Sequence, residues 1–300
     1  VSAALLPRVV VVTRHTEYRA LIADHGTHQQ AEFFLRTRGQ KIAPLVVRDG
    51  KQEAALAAVL AAVPPRWRRV RVVREDLDRF LFGPEDLVVA VGQDGLVANV
   101  AKYLSGQPVI GLNPDPEQYD GILVPHDPSN AGDLMVDAVA GRMTLEERTM
   151  AEARLDDGQR LLALNEIFVG QTSHQSARYR LSWRSSEERH SSSGLIVSTG
   201  TGATGWARSI RLERRSTLTP PSPTQGSLIF FVREAFPSVS TGTDVTEGLV
   251  LAEEPLSIAS EMNQGGVIFG DGIEDDYLKF DWGRVATVGV SDTRLRLVPA

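Results

Sequence analysis

Short runs of β-branched residues alternate with amphipathic stretches over the first 125 positions, the pattern of βαβ units around a parallel sheet. Arg8–Thr13 (RVVVVT) reads as a buried strand. Thr27–Arg38 reads as a helix, with Ala31, Phe34, Leu35 and Arg38 at helical spacing and Gly39 placed to stop it. Lys41–Val47 reads as a second strand. Leu56, Val59, Leu60 and Val63 then form an i, i+3, i+4, i+7 stripe that ends at Pro64-Pro65. Arg69–Val73, Asp86–Val91 and Pro108–Leu112 are further strands, with a helix from Leu96 to Leu104 between the last two.

Beyond residue 160 the period changes, and short Val/Ile/Leu-rich segments are separated by Gly, Ser, Asn or Asp clusters. The expected strands are Leu161–Phe168, Ala177–Trp183, Leu195–Ser198, Leu228–Val232, Leu256–Ala259, Val267–Phe269, Leu278–Phe280, Val285–Val290 and Arg294–Val298. Ser216–Gly226 (STLTPPSPTQG) has almost no apolar residue and predicts a mobile surface loop or a disordered insert. Glu146–Asp157 (EERTMAEARLDD) reads as a charged connector. The fold class expected is α/β plus all-β, with a Rossmann-like α/β domain over residues 1–145 and a β-rich, sandwich-like domain over residues 146–300.

Composition narrows the chemistry. A chain of 300 residues with 42% hydrophobic positions has material for a sizeable core without metal or covalent staples. It has no cysteine, so disulfides, thiolate catalysis, Fe–S clusters and Cys-ligated zinc are excluded. With 38 acidic against 32 basic residues the net charge is −6, unlike the basic face of a general nucleic-acid binder. The apolar run Val1–Val12 is broken by Pro7 and Arg8, lacks a basic leader and is far shorter than the ~20 residues of a membrane span. The expectation is a cytoplasmic protein with small-molecule partners, neither nucleic acid nor membrane.

Three constellations carry candidate chemistry. In Val88-Val89-Ala90-Val91-Gly92-Gln93-Asp94-Gly95 a hydrophobic strand runs into a Gly-flanked Asp, which places a carboxylate where open α/β sheets bind ligands and leaves it free to accept a proton. The plainer reading is an Asp satisfying a tight turn. In Leu161–Gly170 the pair Asn165-Glu166 interrupts a long apolar strand; burial of such groups demands hydrogen-bond partners, and a ribose diol is one candidate. An edge position or a bulge is the alternative. The third runs from Ser193 to Ser209 (SGLIVSTGTGATGWARS), a strand entering a loop of Gly, Thr and Ala and leaving in a helix, so that backbone N–H groups and hydroxyls converge as an anionic ligand requires. Gly200, Gly202 and Gly205 match G-x-G-x-x-G, but no acidic residue follows about 20 positions on, which argues against a Rossmann dehydrogenase, and there is no P-loop motif. The weaker candidates read more simply: His25 and His28 as solvated rather than as metal ligands on a shared helix face, Gly270-Asp271-Gly272 as an acidic turn, and Arg14 as an exposed strand-end residue rather than a phosphate ligand.

Taken in order, these constellations resemble the NAD kinase family, whose marks are a G-G-D-G turn, an Asn-Glu pair opening a β-rich domain, and a strand leading into a Gly/Ser/Thr-rich loop. Here they stand as Gly92-Gln93-Asp94-Gly95, Asn165-Glu166 and Ser198–Trp206. The detail looks closest to the mitochondrial-type branch, on His25-Gly26-Thr27-His28, the segment from Pro108 to Pro116 (PVIGLNPDP), and Ser192-Ser193-Gly194-Leu195. The resemblance implies two domains with NAD between them, a last strand at about 286–300 returning to the first domain, and a homodimer. It also implies transfer of the γ-phosphate of ATP, carried with Mg²⁺, to the 2′-hydroxyl of the adenosine ribose, the metal being held by phosphate oxygens and water rather than by a protein cage. On that reading Asp94 matches the general base. Gly92, Gln93 and Gly95 belong to the signature turn, Asn165 and Glu166 match nucleotide contacts, and Thr201, Thr204, Gly205 and Ser209 match the lining of the dinucleotide pocket. Ser193 stands where many members have Asp, and Arg14 is a candidate for the phosphates. Two positions depart from the pattern: Gln93 replaces the second Gly and Leu96 the usual Thr. If position 93 needs a positive φ or close approach to a triphosphate, Gln is costly there. The alternatives are a catalytically silent nucleotide-binding homologue and a related kinase acting on a lipid or sugar hydroxyl.

Overall fold

The computed structural model describes residues 6–300, so the first five residues of the apolar run Val1–Val12 lie outside the described residues. The chain divides into two compact units, one holding residues up to 100 with 107–146 and 296–300, the other holding 101–106 and 147–295.

In the first unit, β1 (Arg8–Thr13) places four consecutive valines, Val9 to Val12, wholly out of solvent, as expected of a strand covered on both faces. Next come α1 (Glu17–His25), α2 (His28–Arg36), α3 (Ala43–Ala62), β2 (Arg68–Val73), β3 (Asp86–Val91), α4 (Asp94–Ala101), β4 (Pro108–Leu112) and α5 (Ala131–Val139). The strands pair in parallel in the order β2-β1-β3-β4. Val9, Val11, Leu87, Val89, Val91 and Ile110 pack against Leu56, Val59 and Met135 of α3 and α5.

One expectation fails in this unit, and one helix was not expected. The stretch Lys41–Val47 is not a strand but the entry and first turn of α3, where Pro44 loses no helical hydrogen bond. Val46 and Val47 are 38% and 59% exposed, so their β-branched character carries no pairing signal, and the helix is set by buried Gln52, Ala55, Leu56 and Val59. Helix α1 is not among the expected elements: its apolar stripe is short, Tyr18, Leu21 and Ile22, only partly buried against Ala31, Leu35 and Ile42, and its start is fixed by Thr16, whose hydroxyl accepts the Arg19 N–H at the N-cap.

The second unit contains β5 (Glu146–Leu155), β6 (Arg160–Ala163), β7 (Glu166–Gln171), β8 (Ala177–Trp183), β9 (Ser186–Ser192), β10 (Leu195–Ser198), α6 (Trp206–Arg214), β11 (Ser227–Val232), β12 (Glu247–Leu251), β13 (Leu256–Ser260), β14 (Gly266–Gly270), β15 (Tyr277–Lys279) and β16 (Val285–Leu297). A six-stranded antiparallel sheet runs β12-β11-β10-β7-β14-β15, and a second layer runs β16-β13-β8-β9 with β5 and β6 attached. Inward residues of both layers, among them Tyr179, Leu181, Phe230, Val232, Ile258 and Val288, share one core. The other face of the six-stranded sheet packs Phe168, Ile196, Ile229 and Phe231 against Ala207 and Ile210 of α6. The last residues of β16, Arg296 and Leu297, belong to the first unit, where they pair in parallel with β4. The architecture is therefore an α/β sheet domain joined to an all-antiparallel one.

Glu146–Asp157 is not a connector. Met150, Ala151, Ala153 and Leu155 of β5 are buried, but small alanines among charged residues give a weak apolar signal. Strand β9 (SEERHSS) is recruited by pairing along the whole of β8 rather than by its own hydrophobicity. The run Leu161–Phe168 is two strands broken at Leu164-Asn165, and the last two predicted strands are one. Ser216–Gly226 lacks helix and strand, as read, but it is tied down. Pro223 accepts the Thr149 N–H at 2.8 Å, the Gln225 carbonyl accepts the Thr149 hydroxyl at 2.8 Å, and the Ser222 carbonyl lies where a Cβ on Gly200 would stand. Among the described residues no helix is long and apolar enough to cross a membrane.

Candidate functional site

Each unit assembles its own part of the predicted chemistry. In the first, Gly92-Gln93-Asp94-Gly95 follows β3 at the carboxyl edge of the parallel strands, with Asp94 opening α4. The Asp94 carboxylate is not free of partners: Oδ1 accepts the Leu123 N–H at 2.7 Å and Oδ2 the Ile122 N–H at 3.2 Å. Those donors are presented because the chain folds back over β4. A Cβ on Gly111 would overlap the Leu123 carbonyl, and Gly121 turns with φ +71°. Asn113 secures the loop by accepting the Asp115 N–H and donating to the Tyr119 carbonyl. A carboxylate offers about four lone-pair sites, so two backbone bonds orient Asp94 and leave it able to accept a proton.

In the second unit, Asn165 and Glu166 sit at the entry to β7, both half-buried. Their backbone is held by Asp271, which the sequence offered only as an acidic turn. Its carboxylate accepts N–H groups from Leu164 at 2.8 Å, Asn165 at 2.7 Å and Glu166 at 3.2 Å, and its own N–H donates to the Glu166 carbonyl at 3.1 Å. That bracket ends β6, starts β7, and explains why the long apolar run breaks where it does. Asp271 adopts φ +55°, a left-handed conformation that Asp tolerates better than most residues. Lys102, of the segment 101–106 that belongs to this unit, pairs with Asp276 at 2.8 Å and Tyr103 donates to the same carboxylate at 2.6 Å.

The Gly/Thr loop closes on this pair. Thr199 donates its hydroxyl to the Leu164 carbonyl at 2.5 Å and its N–H to the Asn165 carbonyl at 2.9 Å, while its Oγ1 accepts N–H groups from Thr201 and Gly202. Gly202 is required, since a Cβ there would overlap the Asn165 carbonyl. Thr201 is 7% exposed, and its hydroxyl is buried without a hydrogen-bond partner, a group in need of a ligand. The other predicted contacts are placed differently. Thr204 donates to the Thr201 carbonyl and Ser209 to the Trp206 carbonyl, so both hydroxyls serve the local backbone. Gly205 leads into α6, and Ser193 is exposed in the turn before β10.

Burial raises the Glu166 carboxyl to about 7, with the Asp271 charge adding to the effect, and raises Asp271 to about 6 against the pull of its three N–H donors. A carboxyl raised in the folded state contributes fully below its unfolded value and loses that contribution as pH climbs through the folded one. For Glu166 the window is about pH 4.5 to about 7. Glu166→Gln is therefore expected to gain stability relative to the parent across that window, on the order of 3 kcal/mol at its upper end. Thermal melts of both proteins from pH 4 to 8 check this, and a pH-independent difference refutes it.

Comparison with known proteins follows the same lines. No family model matches the chain. Over 133 residues it is 34% identical to an NAD kinase of Heliobacterium modesticaldum, a stretch covering 41% of this chain and 46% of that protein. Over 261 residues it is 25% identical to the mitochondrial NAD kinase 2 of Rattus norvegicus, covering 68% of this chain and 60% of that one. The chain's relatives are NAD kinases. The matches span less than half of the bacterial relatives' length and 60% of the rat protein's. The fold is shared with an NAD kinase from Archaeoglobus fulgidus in complex with ATP, at a TM-score of 0.58 and 19% identity over 97% of this chain and 93% of that chain. It is shared too with yeast NADH kinase complexed with NADH, at 0.62 and 15% over 99% and 84%.

Set against the NAD kinase pattern, Gln93 proves inexpensive for the backbone. Among the described residues the non-glycine positions with positive φ are Arg184, Arg215, Glu234 and Asp271, so position 93 needs no glycine conformation. Gly92 and Gly95 likewise lie outside that region. Leu96 is buried, and its Cδ2 would stand 3.1 Å from a Cβ on Gly92. The histidines do not share a helix face: His25 ends α1 and lies against the Phe34 ring at 4.2 Å, whereas His28 starts α2 with Nδ1 3.1 Å from the Tyr18 hydroxyl. Among the described residues no three His, Asp or Glu side chains gather as a metal site.

Proposed function

We propose that this chain is an ATP-dependent NAD kinase. The 2′-oxygen of the adenosine ribose attacks the γ-phosphorus of MgATP, the bond to the β-bridging oxygen breaks, and ADP leaves as NADP forms. Asp94 takes the hydroxyl proton. Asn165 and Glu166 hold the ribose diol, Thr201 supplies its unpaired hydroxyl to the dinucleotide, and magnesium enters with the nucleotide as part of the substrate. In-line transfer of this kind depends on positioning and charge neutralisation more than on covalent chemistry, which suits a carboxylate and a loop both fixed by backbone bonds. The observation that carries the reading is Asp94, a carboxylate at the ligand-binding edge of a parallel sheet, oriented by two N–H donors and still able to accept a proton.

The test is incubation of the purified chain with NAD and MgATP or, separately, MgADP, followed by enzymatic detection of NADP. NADP is expected with MgATP alone. Dinucleotide binding by calorimetry without any ATP-dependent NADP would overturn the kinase reading in favour of a nucleotide-binding protein.

A further inference from the structure

We infer that Arg14 and Gln93 form a phosphoryl-binding clamp within the first unit, Gln93 serving as the positioning residue that holds the Arg14 guanidinium. The inference deepens the kinase reading by naming what grips the terminal phosphoryl group of the donor.

The two residues emerge together because β1 and β3 are neighbouring parallel strands in register, Val12 lying opposite Ala90, so that positions 14 and 93 both follow the same carboxyl edge. Arg14 Nη1 donates to Gln93 Oε1 at 3.1 Å. Beneath them Gln52 ties the strand ends, its amide donating to Thr13 Oγ1 at 3.1 Å and to the Val91 carbonyl at 2.9 Å. Arg14, Gln93, Arg48, Gln52, Asp115 and Tyr119 line a cavity of about 50 Å³. At roughly 10–15 Å³ for each water-sized position, that is room for the oxygens of one phosphoryl group.

The charged lining residues Arg14, Arg48, Glu17 and Asp115 balance in number, but Lys51 from outside the lining takes up Asp115 and leaves Arg14 as the unpaired cation. Glu17 is paired with Arg48 at 2.7 Å, and Asp115 with Lys51 at 2.6 Å. Arg14 has no carboxylate partner among the described residues and is half-buried. A guanidinium carries five N–H donors in a planar fork, suited to phosphate oxygens. Gln93 occupies one of them with a neutral acceptor. The fork is thereby held in one orientation without losing its charge, which a glycine would not do and a carboxylate would do only by neutralising it. The glutamine thus acts as a support for Arg14 rather than as an obstruction.

The experiment is isothermal titration of the intact chain and its variants with MgATP, magnesium tripolyphosphate and NAD. Arg14→Ala is expected to weaken ATP and tripolyphosphate binding about 10- to 100-fold, in the range of a hydrogen bond to a charged group. Gln93→Gly, which installs the family's residue, is expected to weaken both about 3- to 10-fold, and Gln93→Glu to act like Arg14→Ala. NAD affinity should change less than about twofold in each, and the Arg14→Ala/Gln93→Gly pair should lose no more than Arg14→Ala alone. Unchanged or tighter triphosphate binding by Gln93→Gly would show that the glutamine only fills the pocket and would overturn the clamp. Failure of the parent to bind tripolyphosphate would do the same. Triphosphate binding with these losses but no NADP formation would leave the clamp standing and remove the kinase reading.

Discussion

Asp94→Asn is expected to lower kcat for NADP formation by about 10²- to 10⁴-fold, the usual contribution of a positioned general base, with little change in NAD affinity. The amide is close to isosteric, and its Oδ1 can keep the Leu123 N–H at 2.7 Å. Its Nδ2, however, would face the Ile122 N–H, donor against donor, although that contact is exposed and water can take up the N–H in place of the carboxylate. The variant must therefore be judged on three measurements: the melting temperature, the calorimetric NAD dissociation constant and steady-state kcat. A folded, NAD-binding variant that keeps more than about a tenth of parental kcat would reduce Asp94 to a clamp for the 121–123 turn.

Asp271→Ala should produce the largest loss of stability among single changes near the predicted nucleotide residues. It leaves three backbone N–H groups, those of Leu164, Asn165 and Glu166, without their acceptor, and each orphaned group costs about 1–3 kcal/mol where water cannot reach it. Even at the low end the total is about 3 kcal/mol, a fall in melting temperature of about 5 °C for a chain of this size. NAD affinity should fall with it, since the Asn165-Glu166 backbone loses its bracket. Asp271→Asn keeps one acceptor oxygen and tolerates the positive φ, so its fall should be smaller. A melting temperature within 1 °C of the parent for Asp271→Ala would mean that other groups hold the turn, and calorimetry on the same protein would show whether NAD binding survives.

Much of this molecule was legible from local pattern. The all-valine core of β1, the strands β3, β4, β8 and β10, and the helix after Gly95 follow from β-branched runs, period and turn residues. The order of the three chemical motifs along the chain pointed to the relatives that comparison then found. Less legible were elements whose own sequence is ambiguous. The Val46-Val47 pair suggested a strand until the helical face of Gln52, Ala55 and Leu56 claimed it, and the polar run of β9 becomes a strand only beside β8.

By itself, then, the amino-acid order determined which segments extend or coil and which chemistry-bearing residues stand at their ends, because periodicity and turn preference act over a few positions. Tertiary structure alone decided what those residues touch. Asp271 reaches the 164–166 backbone across more than 100 positions, and Arg14 meets Gln93 across 79. A carboxylate's partner at that separation is selected by how strands stack and which N–H groups burial leaves unsatisfied, and neither quantity has a local signature in the chain.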